Sequence, residues 1–262
     1  FETNGQAVTL LQDVNARFAA GKSTAIMGAS GCGKSTLLTI LAGFDKPNSG
    51  ALRYIDKSSD DKRIMLRAAR QRMSFVFQQY HLLPEFNTLQ NIAFPLQLRG
   101  DREALDKARF WLEKVGMDKK ESQAVSNLSG GEQQRVALAR CLANDPDVIL
   151  MDEPLGALDA LTREKMQSLV LKLWKETGKT IILITHSVEE ALFLGEKLFV
   201  MAPRPGRIKK QYTLPFADAG LTQNPREIKA SPEFIKTREE ILSMIWEMEE
   251  EIMGLAATGT GG

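Results

Sequence analysis

Two hydrophobic rhythms run along this chain. Residues 24–27, 73–77, 148–151, 180–184 and 198–201 are short, nearly unbroken apolar runs. Such runs predict strands buried on both faces. Elsewhere apolar residues recur every three or four positions. In 102–116 they fall at Leu105, Ala108, Trp111, Leu112 and Val115, and Gly116 stops them. In 161–176 they fall at Met166, Leu169, Val170, Leu173 and Trp174, with Gly178 as the stop. Both are one-sided helical stripes closed by glycine. Residues 36–42 read as a helix ended by Gly43, and residues 5–43 as two strands plus a loop-helix unit. The polar stretch 49–62 reads as a turn region, and from 79 to about 145 helical periodicity dominates. Buried strands separated by helices predict an α/β fold with a mostly parallel sheet, interrupted by a helical insertion.

Beyond Gly206 the pattern changes again. Ser231-Pro232-Glu233 is a helix start, with an N-cap, proline at the first helical position and an acid in the first turn. The helix that follows carries Phe234, Ile235, Ile241, Leu242, Ile245, Met248 and Ile252 on one side. That stripe packs either on this chain's own core or on a partner. Its other face is rich in glutamate, which argues against an anionic membrane surface. The small residues 256–262 are expected to form a flexible tail.

Composition narrows the partners. With 34 basic and 33 acidic residues the net charge is +1, so no global field favours nucleic acid. Cys32 and Cys141 have no framework spacing and suit a reducing compartment. No apolar run approaches the ~20 residues of a membrane span, so any membrane role is expected to come through a partner. The chain begins at Phe1 rather than Met, and its N-terminus is expected to be incomplete.

Chemistry enters at Gly28-Ala29-Ser30-Gly31-Cys32-Gly33-Lys34-Ser35, which matches G-x-x-x-x-G-K-[ST] between a predicted strand and a predicted helix. Glycines let successive backbone N–H groups turn toward phosphate oxygens, and the helix N-terminus adds partial positive charge. Lys34 is expected to reach the β- and γ-phosphates and the Ser35 hydroxyl to hold Mg²⁺. Gly28, Ala29, Ser30, Gly31, Cys32, Gly33, Lys34, Ser35 and Thr36 are thus the predicted contacts to a nucleoside triphosphate. Cys32 lies inside this loop, so its oxidation or alkylation is expected to block nucleotide binding.

The run 148–151 ends in Asp152-Glu153. Alone, such a pair is as readily a solvated strand end. Beside a phosphate loop, Asp152 suits the Mg²⁺ water shell and Glu153 can take a proton from the attacking water. A second phosphate-receiving helix start stands at Ser129-Gly130-Gly131, just ahead of a helical run at 135–140.

With these elements the chain resembles the ATP-binding cassette (ABC) transporter ATPases over nearly its whole length. The resemblance implies a P-loop NTPase core with an N-terminal antiparallel β portion, split by a helical subdomain carrying the signature motif. It divides the chain into core at 1–78, helical subdomain at 79–145, core at 146–205 and an extension at 206–262. Leu128–Gln133 matches the LSGGQ signature, with Glu132 in place of the usual glutamine. Phe1 lies where the family has its adenine-stacking aromatic. Gln78 matches the glutamine that touches Mg²⁺ or the attacking water and senses the membrane partner. Asp152 and Glu153 match the Walker B pair, and Asp159, in Ala157-Leu158-Asp159, the D-loop. By bare sequence logic His186 is a helix cap or core residue. By the resemblance it is the switch histidine that contacts the γ-phosphate.

The family implies two such subunits, a homodimer here, joined head to tail around two Mg·ATP. Ser129, Gly130 and Gly131 of one then close over the phosphate held by the other. It also implies transmembrane permease subunits, an extracytoplasmic substrate-binding protein and a peripheral place on the cytoplasmic face of the cell membrane. Residues 80–91 fall where a permease's coupling helix docks. Leu82, Leu83 and Phe86 either line that groove, as exposed apolar residues, or pack internally.

The halves differ in which transporter they resemble. Residues 154–178, 202–208 and the closing helix look like ATPases of nitrate, sulfonate and taurine importers. Residues 1–14 and 66–84 look more like lipoprotein-release and macrolide-efflux ATPases. The C-terminal features weigh more, because that end varies most with transporter class. An importer of small anions is therefore the expectation, with lipoprotein, lipid or macrolide export as the alternative. A DNA-repair ATPase would need long heptad coiled coils and a translation ATPase a second cassette. Neither is present in these 262 residues.

Overall fold

The structure, a computed structural model, describes residues 2–3, 6–7, 9–55, 63–64 and 66–258. Phe1 lies outside the described residues. The first half contains strands β1 (Glu2–Thr3), β2 (Gln6–Ala7) and β3 (Ser23–Gly28), then helix α1 (Lys34–Leu41). Strands β4 (Tyr54–Ile55) and β5 (Arg63–Ile64), helix α2 (Leu66–Gln71) and strand β6 (Met73–Val76) follow. Helices α3 (Thr88–Leu98), α4 (Ala104–Lys114) and α5 (Gly130–Ala143) come next, without a strand between them. The α/β alternation returns with β7 (Val148–Asp152), α6 (Ala160–Thr177), β8 (Thr180–Ile184), α7 (Val188–Leu194), β9 (Lys197–Ala202) and β10 (Arg207–Thr213). Helices α8 (Phe216–Ala219), α9 (Pro225–Ala230) and α10 (Pro232–Thr258) end the chain.

Six strands form one sheet in the order β10-β9-β3-β8-β7-β6. The five from β9 to β6 are parallel, and β10 adds an antiparallel edge. The fold is the α/β cassette with a mostly parallel sheet that the apolar runs predict. Both faces are covered, and the side chains divide between them by the period of two. Ile26, Leu150, Ile182, Ile184, Phe199 and Met201 face the core under α1. Ala25, Met27, Ile149, Met151, Ile181, Leu183, Leu198 and Val200 face the larger core, which also takes the buried residues of α3 to α7.

Three elements differ from the sequence pattern. The polar stretch contains strand β4, which pairs with β5 just beyond it, and the Tyr54 hydroxyl donates to the Leu41 carbonyl at the end of α1. Strand β10 has no apolar run to announce it, since Lys209 and Lys210 stand exposed on an edge, where few apolar residues are needed. In α4 the buried stripe is Ala104, Ala108 and Leu112, while Leu105 is 42% exposed.

The closing helix packs on the chain's own core through Phe234, Ile241 and Met248, all buried. The Phe234 ring meets that of Phe216 edge-on at 4.9 Å. Residues 256–258, expected to be flexible, continue α10. Leu82, Leu83 and Phe86 are half-buried rather than exposed, Leu82 against the larger core and Phe86 against Phe94 at 5.1 Å. Among the described residues no helix is long and apolar enough to cross a membrane.

Candidate active site

Parallel strands deliver their following loops to one edge of the sheet, and here that edge collects the chemistry. The phosphate loop leaves β3, Thr185-His186 leaves β8, Asp152-Glu153 ends β7 and Gln78 follows β6. Strand β8 lies between β3 and β7, with Ile184 level with both Ile26 and Asp152. The histidine loop is therefore flanked by the phosphate loop and the acidic pair.

Two of the loop's glycines, Gly28 and Gly33, have little room for a side chain. A Cβ on Gly28 would lie 2.3 Å from the Met201 carbonyl oxygen, and one on Gly33 2.7 Å from the Leu11 side chain. Gly33 also has φ +89, a left-handed conformation that glycine adopts freely. It caps α1, so the helix begins at Lys34. The Lys34 Nζ donates to the carbonyls of Gly28 at 3.0 Å and Ala29 at 3.2 Å, bracing the loop from within. Ser35 is exposed at the helix start. Cys32 is fully buried, and burial pushes its thiol up. A buried, protonated thiol is a poor nucleophile, so the expected sensitivity to alkylation has no accessible thiolate behind it.

Beside the loop, the half-buried Asp152 carboxylate lies within reach of the Ser35 hydroxyl. Burial pushes the Asp152 carboxyl up and the charge of Glu153 adds to that, while Ser35 and Lys34 pull it down. A carboxylate and a hydroxyl side by side are hard oxygen donors of the kind Mg²⁺ takes alongside phosphates and water. Glu153 is held at φ +46, uncommon for a residue with a side chain. Its N–H donates to the Ile184 carbonyl at 2.9 Å, and its own carbonyl accepts from Gly156 N–H at 3.2 Å. The turn points the carboxylate at His186, with Glu153 Oε2 3.2 Å from Nδ1. His186 is 63% exposed and Glu153 27%, so the pair opens to solvent on the histidine side.

Of the other predicted residues, Ser129 and Asp159 stand at the starts of α5 and α6. Gln78 is exposed just past β6. Ser129 is also exposed and caps α5 reciprocally with Glu132. Gly131 needs its missing side chain, because a Cβ would lie 2.4 Å from Thr162. Glu132 accepts from Ser129 N–H at 3.0 Å and pairs with Lys120, and the lysine holds its carboxyl below the usual range. That ion pair gives glutamate a partner where the family has glutamine. The Asp159 carboxylate caps α6, accepting from Leu161 and Thr162 N–H at 3.1 and 3.0 Å.

Glu190 is a residue that the sequence pattern does not single out. It sits in Glu189-Glu190, and only the fold tells which of the two is inside. Its side chain is 2% exposed, and burial pushes its carboxyl up to about 7. Relative to an unfolded carboxyl near 4.5, the folded state holds this proton more tightly. The stabilisation is complete below about pH 4.5 and is lost as pH rises through 7. Glu190→Gln should therefore gain on the wild type between pH 5 and pH 8, by about 2–3 kcal/mol. Urea unfolding at the two pH values measures the difference.

Residues 11–156 match the model of the ABC transporter family. The taurine import ATP-binding protein TauB of Roseobacter denitrificans is 60% identical over 254 residues, covering 96% of this chain and 92% of that protein. The chain belongs to the ABC transporter family. The TauB of Pseudomonas aeruginosa is 46% identical over 253 residues, covering 95% of this chain and 94% of that one. Of solved structures, the post-hydrolysis dimer of the ATP-binding cassette MJ0796 with ADP and Pi gives a TM-score of 0.69 at 33% identity, covering 82% of this chain and 94% of that one. The structure of cbiO1 from Clostridium perfringens, part of the ABC transporter complex cbiONQ, gives a TM-score of 0.71 at 28% identity and covers 92% of each chain. This ABC ATPase thus has the family's fold. The match to the taurine import proteins spans both halves of the chain.

Proposed function

We propose that this chain is the ATP-hydrolysing subunit of an importer for taurine or a closely related small sulfonate. The observation that carries the reading is its near end-to-end likeness to taurine import ATP-binding proteins. Two copies close around two ATP molecules. Lys34 and the loop amides of Gly28, Ala29, Ser30, Gly31, Cys32, Gly33, Ser35 and Thr36 receive the phosphates. Ser35, Asp152 and Gln78 hold Mg²⁺, which supplies charge neutralisation on the β- and γ-phosphates. Glu153 accepts the proton of the attacking water, and His186, held against it, presents its imidazole to the transferring phosphoryl group.

Ser129, Gly130 and Gly131 serve the partner copy's nucleotide. Ser129 and Gly130 are exposed at the start of α5, and Ser129 and the buried Gly131 border a groove lined by residues 116–120, Thr162 and Lys165, which supports that arrangement. Asp159 shapes the loop that meets the partner, and an adenine-stacking role is assigned to Phe1. Transmembrane permease subunits and an extracytoplasmic substrate-binding protein complete the system, with this subunit on the cytoplasmic face of the membrane.

Purifying the subunit from its native membranes and identifying the membrane protein that comes with it tests this reading. The expected companion is a compact permease with a taurine-binding protein in train. A permease bearing a large extracytoplasmic domain would instead mean extrusion of lipid, lipoprotein or drug.

A further inference from the structure

Behind the Glu153–His186 pair lies a second layer of polar contacts that the chemistry above does not use. Thr185, 1% exposed, directly precedes His186, and its backbone N–H donates to the Ile26 carbonyl at 3.2 Å. Its hydroxyl donates to Glu190 Oε2 at 3.0 Å and accepts from Ser187 N–H at 3.0 Å. Ser187 Oγ in turn accepts from Glu190 N–H at 3.4 Å. The contacts close a ring around the one exposed residue of the turn, His186. Glu190 Oε1 is buried with no hydrogen-bond partner among the described residues.

A buried carboxyl with one satisfied oxygen is a costly way to fill a core. The charges around it offset that cost only in part: Arg163 on α6 and Lys229 on α9 attract the carboxylate, while Glu153 repels it. Arg163 is itself engaged, donating to the carbonyls of Leu155 at 3.3 Å and Leu158 at 2.8 Å in the loop ahead of Asp159. Lys229 donates to the buried Gln167 at 2.8 Å. The carboxyl therefore lies where the histidine turn, the Asp159 loop and the C-terminal extension meet.

We infer that Glu190 is a positioning residue that holds His186 against Glu153 through the Thr185 hydroxyl. Rotation of Thr185 would swing the next residue, and the 3.2 Å separation of Glu153 from His186 leaves little tolerance. The inference rests on the proposed role of His186. It predicts an effect on turnover and little on ATP affinity, because Glu190 touches no group assigned to the nucleotide.

The test is a double-mutant cycle on the full-length chain, read as single-turnover hydrolysis of radiolabelled ATP and as the Kd for a fluorescent ATP analogue. Glu190→Ala should lower the hydrolysis rate about tenfold or more with Kd within about twofold. Glu190→Gln keeps an oxygen that accepts from Thr185 and should restore most of the rate. Thr185→Val, which removes the hydroxyl but keeps the shape, should reproduce the alanine defect even if Glu190→Ala does not fold. Placed on His186→Ala, Thr185→Val should cost nothing further. Additive losses, or a weaker Kd with an unchanged rate, would overturn the positioning role while leaving His186 in place. A His186→Ala variant that hydrolyses at the wild-type rate would instead remove the reading beneath it.

Discussion

Glu153→Gln binds ATP about as tightly as the wild type and hydrolyses it at least ~100-fold more slowly, the size expected for loss of a general base. Glutamine has the same shape, so the left-handed turn at φ +46 and its hydrogen bond to Ile184 have no reason to change. What disappears is an oxygen that can take a proton. With hydrolysis blocked and binding intact, ATP should hold two copies together, and the variant should run as a dimer in light scattering when ATP and Mg²⁺ are present. Hydrolysis at the normal rate would remove Glu153 from the role of base and leave it as the residue that orients His186.

Lys34→Ala fails one step earlier. Charge-assisted hydrogen bonds are each worth about 1.5–3 kcal/mol, so ATP affinity should fall by about tenfold to more than a hundredfold. The structure adds a second cause. Lys34 also braces the carbonyls of Gly28 and Ala29, and without it the loop loses an internal tie as well as a phosphate contact. Titration with a fluorescent ATP analogue separates the two variants, since Glu153→Gln keeps its affinity and Lys34→Ala loses it. Equal affinity in both would contradict the phosphate role of Lys34.

The parts legible in the sequence are those where one local pattern carries the whole physical requirement. Unbroken apolar runs can only be strands covered on both faces, and all five of those predicted lie in one parallel set. The phosphate loop is likewise local, because its glycines, lysine and helix start are consecutive. What the pattern hides depends on neighbours distant in the chain. Strand β10 satisfies its backbone on β9 and needs no apolar face to do so. Leu105 belongs to a helical stripe by spacing, but α4 presents Ala104 to the core in its place. Burial of Glu190 follows from α7 packing between β3 and α10, which nothing in the run 187–191 announces. The exchange of glutamine for Glu132 also becomes intelligible only when Lys120 is seen beside it.

ATP-driven movement of radiolabelled taurine, in membrane vesicles containing this subunit with its co-purified permease and binding protein, is the most direct measurement. Taurine should accumulate on the side facing this subunit only when ATP and Mg²⁺ are supplied there, and Glu153→Gln should abolish the accumulation. Vesicles that hydrolyse ATP normally yet leave taurine where it was would contradict the importer, as would uptake undiminished by Glu153→Gln.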